Sequence, residues 1–187
     1  MVRPNYFFAF PLDGKFVESL PPLPPWFRLY HPEDVHLTLS FLGGCGQEAA
    51  ERALAALDEA LQREPRAGID VSLGQVVPMG PKQKYSALSA LLEKGREATT
   101  QHVAALRDVV SEAALGRREQ RAPKPHVTIA KPRGQATDAG RRSGLEWAAG
   151  LDLRAIEARL DRIALYTWSE GNRRERLFRI LAERPLS

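Results

Sequence analysis

Apolar and polar positions alternate with a period of two over Val35–Leu42, where Val35, Leu37, Leu39 and Phe41 interleave with His36, Thr38 and Ser40. That alternation predicts a half-buried strand, which Gly43-Gly44 ends. His126–Ala130 repeats it, and Tyr6–Phe10 is an apolar, aromatic run stopped by Pro11, which reads as a buried strand. LPPLPP at Leu20–Pro25 excludes regular structure and predicts a stiff loop. Gln47–Arg63 is rich in Ala, Leu, Glu and Arg, with Leu54, Leu57 and Leu61 at helical spacing. Strands are expected over Ile69–Val77 and Tyr85–Leu92, joined by the turn-rich PMGPKQK, then a helix over Gly95–Leu115 closed by Gly116. A basic loop, RREQRAPKP, leads to the second alternating strand, and Thr137–Ala149 reads as a short helix. Helical propensity opens the stretch from Leu153, but Leu160–Trp168 reads as strand. Arg176–Leu181 is the expected closing strand, with Glu170-Gly171-Asn172 as the hairpin turn.

These elements repeat. HLTL at 36–39 precedes a helix and two strands, and HVTI at 126–129 does the same, 90 residues later. Little identity exists beyond the tetrapeptides, so the repeat is one of pattern, and it suggests two related lobes with one tetrapeptide each.

Composition narrows the class. The 187 residues suit one globular domain, or one domain of two similar lobes, with 43% hydrophobic and 27% charged residues. No run of about eighteen apolar residues exists, so no membrane span is expected. The apolar patch in MVRPNYFFAFPLDG is too short and Pro-broken for a signal peptide. Cys45 is the only cysteine, which excludes an intrachain disulfide and a Cys-rich metal site and fits a reducing cytoplasm. A net charge of +4 is compatible with an anionic partner.

Of the four histidines, His36 and His126 share the frame His-aliphatic-Thr-aliphatic. In a strand, residues i and i+2 share a face, so His36 neighbours Thr38 while Leu37 and Leu39 anchor the strand. His126 and Thr128 stand in the same relation, held by Val127 and Ile129. Facing lobes would form a cleft with one His and one Thr hydroxyl on each wall. A neutral imidazole can take a proton from water, an imidazolium can give one to a leaving oxygen, and hydroxyls can hold phosphate oxygens. That scheme needs no metal and no cofactor.

The pair HLTL and HVTI resembles the signature tetrapeptides of the two-histidine (2H) phosphoesterase superfamily. Within it the chain is most similar to the RNA 2′,3′-cyclic phosphodiesterases, long called LigT or 2′-5′ RNA ligases. YFFAFPLD resembles the family's opening strand, EDVHLTLSFLGG its first motif, KPHVTIAKP its second, and IALYTWSEG its final hairpin. The resemblance spans nearly the whole chain. It implies an α+β fold of two pseudo-symmetric lobes of antiparallel sheet with flanking helices around a central basic cleft, as a single bilobal domain over 1–187. It also implies hydrolysis of a terminal 2′,3′-cyclic phosphate to a 2′-phosphomonoester. Carried onto this chain, His36 is the proton donor to the departing 3′ oxygen, His126 activates water, and Thr38 and Thr128 bind the phosphate. The residues alone leave the two histidine roles interchangeable. Where many relatives carry Arg, this chain has Lys131, a point charge in place of a bidentate fork, and Arg133 is the candidate to compensate.

Other residues have plainer readings. His31 and His102 read as structural or surface residues, and Cys45 as a small packed residue. Tyr166, Trp168 and Phe41 could stack a base, but aromatics on strands belong to cores more often. Arg117–Arg121 and the cluster Arg173, Arg174 and Arg176 could track an RNA backbone or simply solvate loops. Lys131 and Arg133 divide evenly between phosphate contact and solubility. A metal at His36 would have only Glu33 and Asp34 for company, in a turn, where zinc wants three or four ligands. The expected partner is therefore RNA or an oligonucleotide with a cyclic phosphate end, acted on by a cytoplasmic monomer. The rivals are 2′-5′ RNA ligation, a small-nucleotide cyclic phosphodiesterase, and a non-catalytic module that binds RNA ends.

Overall fold

The computed structural model describes residues 4–81, 84–171 and 175–187. Its strands are β1 (Tyr6–Pro11), β2 (Phe27–Leu29), β3 (His36–Gly43), β4 (Ile69–Met79), β5 (Ala87–Leu92), β6 (His126–Pro132), β7 (Glu157–Leu160), β8 (Arg162–Trp168) and β9 (Phe178–Pro185). Its helices are α1 (Gln47–Arg63), α2 (Arg96–Leu115) and α3 (Asp138–Ala149). The strands form one antiparallel sheet in the order β7-β4-β5-β6-β3-β1-β8-β9, with β2 also on β6. The fold is α+β, as the resemblance implies.

The sheet divides between β3 and β6. One lobe is β3-β1-β8-β9 and the other β6-β5-β4-β7, so each holds one tetrapeptide. These lobes are not the consecutive halves that the sequence repeat suggests. The two strands that follow the first tetrapeptide, β4 and β5, join the second lobe, and β8 and β9 join the first. The helix between β5 and β6 crosses too: α2 packs on β3 and against α1, while α3 lies on β4 and β5. Each lobe thus borrows elements from the other half of the chain. Arg184 of β9 reinforces this by pairing with Asp58 of α1.

The main core holds Phe8 and Phe10 of β1, Leu37 and Leu39 of β3, Leu88 of β5, Val127 and Ile129 of β6, and Leu57 and Leu106 of the helices. Burying each large side chain contributes about 2 kcal/mol. The opposite face of the first lobe carries a smaller cluster, Phe7, Ala9, Ala164 and Tyr166.

Several expectations change in detail. No helix forms after Leu153; a turn leads straight into β7, and the expected strand Leu160–Trp168 forms as β8, except that Leu160 ends β7 on the opposite lobe. Leu160 pairs with Ile69 at one end of the sheet, and Arg162 pairs with Pro185 at the other. Tertiary pairing overrides local propensity there. The closing strand runs over Phe178–Pro185, later than Arg176–Leu181. The short strand β2 was not anticipated. Gly116 closes α2 with φ 66°, the left-handed conformation that glycine adopts without strain. Lys82 and Gln83 of the PMGPKQK turn, and Asn172 of the hairpin turn, lie outside the described residues.

The most consequential departure is in β3. Phe8 pairs with Ser40 and Ala9 with Thr38, which leaves Leu39 as an extra residue, a β-bulge. The alternation reverses after it. Ser40 turns inward, to a hydroxyl pair with Ser111 of α2 at 2.9 Å, and Phe41 turns outward, 60% exposed. β6 is built alike: Leu88 pairs with Ala130 and Ser89 with Thr128, leaving Ile129 extra. Ala130 is buried as a result, and Lys131 turns back to the side of His126 and Thr128. Both motifs therefore read His-x-Thr-bulge-x-residue on one face, with Phe41 in one and Lys131 in the other.

Candidate active site

β3 and β6 meet at a single pair, Leu37 opposite Val127, both fully buried. Because the pairing is antiparallel, the positions flanking it run across one another: His36 across from Thr128, and Thr38 across from His126. Each motif's threonine accompanies the other motif's histidine on one face. The four residues singled out from the two tetrapeptides are thus brought together.

Both rings are held alike. His36 Nδ1 lies 2.6 Å from the Asp34 carbonyl, and His126 Nδ1 lies 2.6 Å from the Lys124 carbonyl. A carbonyl only accepts, so each Nδ1 carries a proton and each neutral ring keeps its lone pair on Nε2. The supports differ in rigidity. Asp34 is 1% exposed, and its carboxylate accepts the backbone N–H groups of Leu177 (2.7 Å) and Phe178 (3.1 Å), tying the turn before β3 to the start of β9. Lys124 sits in an exposed loop.

The electrical environments differ as well. His36 is 8% exposed and ringed by Phe7, Tyr166, Phe178 and Tyr30, at centroid distances of 4.9, 5.4, 5.5 and 6.3 Å. Burial is the main reason its pKa falls to about 4; the Asp34 carbonyl opposes the fall, and the charges of His126 and Lys131 add to it. His126 is more open. Its pKa is also lowered, first by burial and then by the Lys124 charge, against a bond to the Lys124 carbonyl that raises it. Both shifts favour the neutral imidazole.

Around this pair lie residues that the motifs did not reveal. Ser89 of β5, fully buried, shares a hydrogen bond with Thr128 at 3.1 Å. Arg28 of β2 is the cross-strand partner of Lys131. Like charges directly opposite destabilise a sheet, and no carboxylate pairs with either among the described residues. The Lys131 ammonium lies 5.8 Å from the Tyr30 ring, and its pKa is lowered by burial and by Arg28. Arg133, the candidate to compensate, donates its Nε to the Phe27 carbonyl at 3.2 Å. A lone Ser in the apolar run ALSALL was a signal for Ser89; nothing local marked Arg28, because β2 is too short to show a period.

The remaining candidates separate clearly. Tyr166 is buried, stacked on Phe7 at 4.9 Å, whereas Phe41 is exposed beside Thr38 and His126. Arg117, Arg118 and Arg121 line a groove that also opens on His126. Arg176 pairs with Glu33; Arg173 and Arg174 lie outside the described residues. His31 caps the turn at Pro32–Asp34 by accepting from the Glu33 N–H, and His102 Nδ1 bonds the Ala98 carbonyl within α2. Burial pushes the Cys45 thiol up, away from the thiolate form. Among the described residues no three His, Cys, Asp or Glu side chains gather as a metal site. No helix is long and apolar enough to cross a membrane, among the described residues.

Comparison with known proteins agrees with this fold. The fold matches E. coli LigT in its apo form (TM-score 0.69, 17% identity, 99% of both chains) and complexed with 3′-AMP (0.67, 19%, 99% of both). It also matches the TT0787 protein of Thermus thermophilus (0.68, 20%, 97% of both) and, less closely, Usb1 of Kluyveromyces marxianus (0.53, 13%, 98% and 97%). At these identities the likeness is one of fold. No curated protein matches the sequence. The model of one family, however, matches residues 18–172, from before β2 to beyond β8, and so takes in both tetrapeptides. On that match the chain belongs to the 2′-5′ RNA ligase superfamily, the two-histidine phosphoesterases.

Proposed function

We propose that the protein hydrolyses a terminal 2′,3′-cyclic phosphate of RNA to a 2′-phosphomonoester, by acid–base catalysis that uses no metal. The observation that carries this reading is the matched pair of Nδ1–carbonyl bonds, which leaves two Nε2 atoms for proton transfer. His126, neutral and more open, takes a proton from water as the water oxygen bonds to phosphorus. His36, as imidazolium, gives its Nε2 proton to the 3′ oxygen as the P–O3′ bond breaks. A phosphate anion beside His36 opposes the lowering that burial causes, favours the imidazolium and brings His36 into its acid form. Thr38 and Thr128 hold the non-bridging oxygens, and Lys131 with Arg28 neutralises them, Arg28 supplying the guanidinium fork that Lys131 lacks. The exposed Phe41 ring offers a face to the terminal base. The 3′-AMP bound in a LigT structure fits a nucleotide phosphate in this role. On this reading the protein is a cytoplasmic monomer whose partner is an RNA end.

The test is turnover of an oligoribonucleotide ending in a 2′,3′-cyclic phosphate, with EDTA present and the position of the product phosphate identified. Conversion to a 2′-phosphate that falls by about a hundredfold or more in both His36→Ala and His126→Ala supports the reading. Binding without turnover in the wild type would return the function to an RNA-end-binding module. Joining to a 5′ hydroxyl would make ligation, the same chemistry reversed, the better description.

A further inference from the structure

Beyond His126, away from Arg28 and Lys131, the cleft continues into a groove of about 790 Å³. That volume lies high in the range that holds a drug-sized ligand, so a terminal phosphate at the histidines leaves most of it free. Its walls are β3, the C-terminal half of α2 and the loop that carries Lys124. Arg107, Arg117, Arg118, Arg121 and Lys124 line it, against one acidic residue, Glu119. Arg118 and Arg121 already pair with Glu112 and Glu119. Arg117 and Lys124 have no ion-pair partner among the described residues.

Arg107 is the least easily explained. Its side chain is 13% exposed, its Nε makes no hydrogen bond, and its contact with Asp108 is a long 3.9 Å. One NH2 group reaches the Glu119 carbonyl at 3.5 Å, the outer limit of a hydrogen bond. With its Nε buried beside Asp108 and only this long bond at one NH2 group, the guanidinium keeps donor capacity that an anion in the groove it lines would take up. Cations along one wall, with an exposed aromatic ring, Phe41, at the mouth, make the composition that tracks a single-stranded nucleic acid.

We propose that this groove is a subsite for the internal phosphodiester nearest the reacting end of an RNA strand, held by Arg107 and Arg117, so that oligonucleotides are preferred to a lone nucleotide. The proposal rests on the function proposed above, with the terminal phosphate between His36 and His126. The same loop supplies the carbonyl that holds His126, so the strand and the catalytic ring share one support.

The experiment compares kcat/KM for a mononucleotide and a tetranucleotide, each ending in a 2′,3′-cyclic phosphate, at low and moderate salt. The wild type should favour the tetranucleotide by about tenfold or more at low salt, chiefly through KM, and lose that preference as salt rises. Arg117→Glu, on an exposed loop, should cut the preference at least about fivefold, and Arg107→Gln should act in the same direction. Equal kcat/KM for the two lengths, or a preference intact in Arg117→Glu, overturns the subsite while leaving the acid–base reading in place. If neither substrate turns over, the catalytic reading fails and fluorescence-anisotropy binding of the tetranucleotide decides the subsite. Weaker binding in Arg117→Glu then supports it, and equal binding overturns it.

Discussion

Ser89 Oγ lies 3.1 Å from Thr128 Oγ1, while the residue in the equivalent place across from Thr38 is Ala9. The pseudo-symmetric halves therefore differ at their threonines. Ser89→Ala should cost about 1 kcal/mol of stability and lower kcat/KM about fivefold by freeing the Thr128 hydroxyl. Steady-state kinetics beside urea denaturation checks this; a stability loss with unchanged kinetics would reduce Ser89 to a packing residue.

His36 should make the protein acid-sensitive. Its folded pKa of about 4 lies below the ordinary 6.5, so the unfolded chain binds a proton there more readily than the native one. Stability from this group is constant above about pH 6.5 and falls as pH drops towards 4, by roughly 3 kcal/mol in all. Urea denaturation at pH 7 and pH 4.5 should show a loss in the wild type about 2 kcal/mol larger than in His36→Asn. Equal losses in the two proteins would contradict the buried, neutral imidazole.

Phosphate binding should take up protons. Both imidazole pKa values are lowered, first by burial, and an anion between the rings raises them. Calorimetry of inorganic phosphate binding near pH 6, in buffers of different ionisation enthalpy, should reveal uptake beyond the protonation of phosphate itself. The excess should vanish in His36→Ala with His126→Ala. No excess in the wild type would place the anion elsewhere.

Arg28 and Lys131 should act as one anion holder. Lys131→Ala should weaken phosphate binding, and it should also raise the His36 pKa, because the Lys131 charge now lowers it. An NMR titration reads both effects. Arg28→Lys should weaken phosphate binding by roughly 1 kcal/mol, and adding Lys131→Arg should restore it by returning a guanidinium to the pair. Failure of that rescue would leave Arg28 outside the phosphate site.

Asp34→Asn should destabilise the protein by about 2 kcal/mol, since an amide replaces a buried carboxylate that accepts two backbone N–H groups. Because the same residue's carbonyl holds His36, the limb of the pH–rate profile that reports His36 should move as well. A purely structural role would lower the melting temperature and leave the profile in place.

Much of this protein is written locally. Period-two alternation marked β3 and β6, helical spacing marked α1, Gly116 marked the end of α2, and the repeated frame marked His36, Thr38, His126 and Thr128, because each pattern is carried by residues within a few positions of one another. Strand geometry alone puts His36 and Thr38 on one face, and the family match takes in the same two tetrapeptides.

What the tertiary structure decided depends on contacts distant in sequence. The exchange of β4, β5, β8 and β9 between lobes is set by which edges pair, so the repeat along the chain could not reveal it. The bulges at Leu39 and Ile129 appear only against β1 and β5, and they alone turn Phe41 and Lys131 to the face of the histidines. Arg28 meets Lys131, and Asp34 meets Leu177 and Phe178, across more than a hundred residues. Local pattern named the histidine pair; their pKa values, supports and neighbours come from burial and pairing that only the folded chain creates.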